Sequence, residues 1–188
     1  EGLESIWSQL QWSFGDKYVL CDGRETFLKW SNVANMQTIL VDSKKCAERL
    51  NKNSLDRMDL QFKTWDSVIL EVVNMKCDFA WIVEYDVSFD PRALSRLAEV
   101  CYPWKVDMLF PQGSLVSLSR LSLRLCQEAV DRLKGGKGQY LEELFETICA
   151  DKCFSRRKFP CHMIHPEYCT KPSRIRTMGL PLHACKHI

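Results

Sequence analysis

A chain of 188 residues is long enough for one ordinary domain with a real core, and a hydrophobic share of 46% with 11% aromatics excludes a disordered chain. Its 26 Lys and Arg against 24 Asp and Glu leave a net charge of +2, too small to draw the whole protein onto nucleic acid or a membrane. No apolar run approaches the roughly 20 residues that span a bilayer, so no transmembrane segment is expected, and the first residues show no signal-peptide pattern. The first residue is Glu rather than Met, as expected of a piece cut from a longer chain.

In chain order, Leu3, Ile6, Trp7, Leu10 and Phe14 recur at helical spacing and predict an amphipathic helix that Gly15 ends. Lys17–Cys21 reads as a strand stopped by Asp22-Gly23-Arg24, and Glu25–Ser31 as a helix. Thr38–Val41 is a second short apolar strand, again stopped by an acid, Asp42, and Ser43–Asn51 is helical. From Asp56 to Met75 a stripe of Leu60, Phe62, Trp65, Val68, Ile69 and Val72 predicts a long helix with its apolar side in the core.

That helix leads into CDFAWIVEYDVSFDP, residues 77–91. Phe79–Val83 is rich in aromatic and β-branched residues and bounded by acids, the mark of a buried strand. Glu84 and Asp86 follow on the same side, about 7 Å apart along an extended chain. Two carboxylates at the carboxyl end of a central strand are costly unless they bind a cation, share a proton or meet water. A hard divalent ion, Mg²⁺ or Mn²⁺, is the simplest partner, because such ions take one or two carboxylates together with substrate phosphates.

Pro91–Cys101 predicts a helix with Pro in its tolerated first turn. A strand follows over Val106–Phe110, then a mostly helical stretch over Ser117–Leu133 that stops at Gly135-Gly136. Gln139–Ala150 is helical, Phe159–Ile164 a strand, and the tail irregular. Strands alternating with helices argue for an α/β sandwich with a largely parallel sheet, in one domain over residues 1–188.

Ten cysteines leave the compartment open. Cys149, Cys153, Cys161 and Cys169 cluster, and either disulfides or a zinc ion with His162 or His165 is open there, although neither spacing matches a standard zinc finger. Disulfides would mean an ER or Golgi lumen and free thiols the cytoplasm, while the absence of any Asn-x-Ser/Thr acceptor leans away from a glycosylated lumenal protein.

A strand ending in Glu84-Tyr85-Asp86 after a long helix, a later glycine-led helix bearing Glu, and a late His together resemble the nucleotide-sugar glycosyltransferases of the GT-A fold. The resemblance implies a three-layer α/β/α sandwich whose acidic strand end, here with Glu in place of the first Asp, holds Mn²⁺ or Mg²⁺ on the diphosphate of a UDP- or GDP-sugar. Gly138 to Glu142 matches the Gly-x-x-x-Glu helix of inverting members, which makes Glu142 the base for an acceptor hydroxyl; Glu143 replaces it if the register is one residue out. His183-Ala-Cys-Lys186 is similar to a late His-x-x-Lys pattern, implying His183 on the metal and Lys186 on the diphosphate.

Asp22 and Asp42, at early strand ends, stand where acids accept hydrogen bonds from a nucleotide's ribose or base, though both are also good turn or cap residues. Trp104, Phe110 and residues 114–120 are candidates to line the pocket for a glycan or glycoprotein acceptor. The rival reading is a non-catalytic, cysteine-rich interaction or zinc-binding domain. A methyltransferase or dinucleotide site lacks its glycine-rich loop, a P-loop is absent, and no basic stripe with interleaved aromatics points to nucleic acid.

Overall fold

A computed structural model describes residues 16–33, 37–50, 60–83, 93–111, 118–135 and 141–160. Over these the protein is mixed α/β, in the order β1 (Tyr18–Asp22), α1 (Arg24–Ser31), β2 (Gln37–Val41), α2 (Ser43–Arg49), α3 (Leu60–Met75), β3 (Phe79–Val83), α4 (Ala93–Cys101), β4 (Met108–Phe110), β5 (Leu118–Ser122), α5 (Leu123–Lys134), α6 (Leu141–Asp151) and β6 (Arg156–Lys158). No helix among the described residues is long and apolar enough to cross a membrane. The helix expected over residues 3–14 lies outside them.

The contacts divide the chain into two compact units, and the chain passes between them within β3 and at the end of β5. One unit takes Asp16–Ala80 and Ser122–Phe154. Here β1 and β2 form a two-stranded parallel sheet, with α1 packed on both strands. Helix α3 packs on α2, α5 and α6, and α5 on α6.

The sequence of α5 dictates that packing. Leu125, Cys126, Ala129, Val130 and Leu133 are all buried, a stripe at helical period that faces the core. Ser122 caps the helix by accepting the Leu125 N–H at 3.2 Å, and Gly135 ends it as its N–H returns to the Arg132 carbonyl at 3.1 Å. On the outer side Arg132 reaches Asp151 at 2.8 Å and Glu128 at 3.2 Å, tying α5 to α6 at the surface.

The other unit takes Trp81–Leu121 and Ser155–Ile188. Its sheet has the order β3-β5-β4-β6, in which β4 runs antiparallel to β5 and parallel to β6. The sequence predicts one largely parallel sheet; among the described residues there are one parallel pair and one mixed sheet.

Two element assignments also change. Leu118–Ser122, expected to be helical, is strand β5, and all five of its residues are buried. A strand covered on both faces shows no alternation, while Leu118, Leu121 and Leu125 happen to recur at helical spacing. A strand that the sequence does not predict runs over Arg156–Lys158; of the expected strand Phe159–Ile164, Phe159 and Pro160 are not strand, Phe159 is buried, and residues 161–164 lie outside the described residues.

Candidate functional site

The parallel pairing of β1 with β2 runs in register from Tyr18 opposite Gln37 to Asp22 opposite Val41. Both strands thus end on the same side, and Asp22 and Asp42 come together at their carboxyl ends, the edge where open α/β sheets receive ligands. Of Asp22 only the backbone is described. Gly23 follows it with φ 102° and ψ 146° and opens α1, whose first turn carries no side-chain cap; the Phe27 N–H donates to the Gly23 carbonyl at 3.1 Å. An L side chain pays for that backbone in strain. A Cβ on Gly23 meets nothing within 4 Å, so strain alone operates: Gly23→Ala is expected to lower stability by about 1–3 kcal/mol, read as a lower urea midpoint at unchanged slope.

Asp42 has a structural task. Its Oδ1 accepts the Lys45 N–H at 3.1 Å, its carbonyl accepts the Cys46 N–H at 2.9 Å, and Lys45 Nζ stands 3.8 Å from Oδ2. This is an N-cap of α2, and the carboxylate still stays about half exposed.

Glu142 and Glu143 fall in the first turn of α6, in the same unit as Asp22 and Asp42. Leu141, Leu144, Phe145, Ile148 and Cys149 bury one stripe of this helix, while Glu143 and Glu146 are exposed; of Glu142 only the backbone is described. Strand β3 ends at Val83, so the chain enters Glu84-Tyr85-Asp86 directly from a strand whose Ile82 is buried. Glu84, Asp86, His183 and Lys186 lie outside the described residues, as do Cys161 and Cys169.

All seven described cysteines are free thiols, Cys149 buried and Cys153 exposed. Among the described residues no three His, Cys, Asp or Glu side chains converge to hold a metal ion.

The expected acceptor-lining segment divides. Trp104 is half-buried, Phe110 is buried, and Arg120 is only 3% exposed. The Arg120 guanidinium donates from Nη1 to the Cys101 carbonyl at 2.9 Å and from Nη2 to the Trp104 carbonyl, closing the end of α4. It is a packing residue, and burial lowers its pKa. What the sequence did not disclose is the cation seated on Trp104: Arg157, from β6, lies 3.6 Å from the centre of the indole. Only the sheet brings these two together. The chain matches no model of a known protein family and no curated protein.

Proposed function

We propose that this chain is a glycosyltransferase of GT-A architecture, moving a sugar from a nucleotide-diphosphate donor to an acceptor hydroxyl. The observation that carries the reading is β3, a strand that ends one residue before Glu84-Tyr85-Asp86 within a mixed α/β protein. The shared carboxyl edge of β1 and β2, with Asp22 and Asp42, supports it.

Two carboxylates and an imidazole suit Mn²⁺ or Mg²⁺, and Glu84, Asp86 and His183 are the residues that would hold the ion. Bound there, it supplies positive charge to the departing diphosphate. Lys186 adds an ammonium for the same oxygens. Asp22 and Asp42, at the carboxyl edge of β1 and β2, accept hydrogen bonds from the nucleoside. Glu142 takes the proton of the acceptor hydroxyl as its oxygen bonds to the anomeric carbon and the bond from that carbon to the diphosphate oxygen breaks; Glu143 is the neighbouring candidate. A single displacement with one base inverts the anomeric centre.

Calorimetric titration with UDP and GDP tests this, with Mn²⁺ or with chelator, on the chain and on Asp86→Ala. The expected result is binding that requires metal and is lost in the variant. No nucleotide binding under either condition overturns the reading.

A further inference from the structure

The mixed sheet ends in β6, a strand without an apolar residue: Arg156, Arg157 and Lys158 are all exposed. Burial does not hold this strand. Pairing with β4 does, together with a clamp at its start, where the buried Asp107 carboxylate accepts both the N–H and the Oγ–H of Ser155 at 2.9 Å. In return the Asp107 N–H donates to the Ser155 carbonyl at 2.8 Å. The clamp fixes where three cations emerge.

The middle one, Arg157, emerges against an aromatic ring. Arg157 lies over Trp104 at 3.6 Å, and in the same loop Lys105 Nζ stands 5.3 Å from the centre of the Tyr102 ring. Tyr102 is 74% exposed, the most exposed large hydrophobic among the described residues. Among the described residues of this unit the exposed cations are Arg96, Lys105, Arg156, Arg157 and Lys158, and the acids are the exposed Glu99 and the buried Asp107, which accepts from Ser155. An indole under a guanidinium holds its planar fork in place, and the N–H edge of that fork fits a carboxylate or sulfate through two parallel hydrogen bonds. An exposed phenol offers an amphipathic ring face, apolar in its body and polar at its tip.

We propose that this face binds an anionic saccharide chain, bearing carboxylate or sulfate groups, as the acceptor of the transferase; the inference rests on the function proposed above. A saccharide fits better than a nucleic acid. Single strands are held by a series of stacking platforms, and here Arg157 already occupies a face of Trp104, leaving Tyr102 as the one widely exposed ring of the patch among the described residues.

The test is binding of a heparin oligosaccharide of defined length, beside a neutral dextran oligosaccharide of equal length and oligouridylate, to the chain, to the double variant Arg157→Gln/Lys105→Gln, and to Lys134→Gln in the other unit as a charge control. The expected result is binding of the sulfated chain alone, weakened about tenfold or more in the double variant through lost charge-assisted hydrogen bonds and unchanged in the control. Arg157→Lys keeps the charge without the fork and is expected to fall between. Equal binding by the double variant, or oligouridylate bound as tightly as the sulfated chain, overturns the proposal. The nucleotide titration reads separately: nucleotide bound without saccharide sinks this inference alone, and saccharide bound without nucleotide sinks the transferase role.

Discussion

Phe145→Ala is expected to cost about 3–5 kcal/mol, the range for truncating a fully buried aromatic ring. Phe145 is wholly inaccessible and is the largest such side chain among the described residues. It sits mid-way along α6, a helix that packs on both α5 and α3, with Leu144 and Ile148 beside it on the buried stripe. The loss combines apolar surface returned to water with a cavity that a helix held on two sides cannot collapse into. Against a usual total of about 5–15 kcal/mol, such a change leaves the protein near the edge of folding. Urea unfolding reads it as a lower midpoint at unchanged slope. Phe145→Leu keeps most of the volume and is expected to lose much less. A loss under about 1 kcal/mol for the alanine variant would mean that α6 is not anchored through this ring.

The same helix marks the boundary of what the sequence discloses. Leu141, Leu144, Phe145 and Ile148 are spaced so that a helix buries them together, and the helical reading of this stretch needed no other information. Strand β3 was equally plain, since aromatic and β-branched residues bounded by acids suit a strand. Helix α5 announced its end through Gly135. Its start was hidden, because Leu118 and Leu121 continue its spacing backward while the chain is already strand β5, paired with β4. Nothing local distinguishes the two; the partner strand decides.

Strand β6 is the opposite case. Three consecutive cations carry no apolar signal, and what makes them a strand is the Asp107–Ser155 clamp together with β4, both distant in sequence. The cation–ring pair of Arg157 and Trp104 was illegible for the same reason. Asp42 is ambiguous in a different way. An acid between a strand and a helix caps the helix and stands at the ligand edge at once, and its bond to the Lys45 N–H serves the first of these roles. Arg120, the last residue of the segment expected to line an acceptor pocket, is buried and closes the end of α4, a contact between carbonyls and a guanidinium distant in sequence.

Buried thiols make the protein expected to lose stability in alkali well before its surface chemistry requires it. Cys126 and Cys101 are both fully inaccessible. Burial pushes the Cys126 thiol up to about 12, with the charge of nearby Cys77 adding to the effect. Burial likewise pushes Cys101 up to about 11, against the pull of Arg120 and Arg157. Both start from an ordinary value of 9.0. Above that pH the unfolded chain releases protons that the folded chain still holds, so the unfolded state is favoured as pH rises. The stabilisation is complete below pH 9 and is lost progressively through about 11 for Cys101 and about 12 for Cys126. Inside that window each pH unit costs about 1.4 kcal/mol per thiol, so the pair together costs on the order of 5 kcal/mol between pH 9 and 11. Urea midpoints under reducing conditions at pH 8 and 10.5 measure it, for the native chain and for Cys101→Ala/Cys126→Ala. The double variant starts from lower stability because it has lost buried volume, but its decline with pH is expected to be much shallower. A residual slope remains from Cys21 and Cys77, whose thiols burial also raises. Equal midpoints at the two pH values in the native chain, or an undiminished decline in the double variant, would show that these two thiols are not the groups that set its alkaline limit.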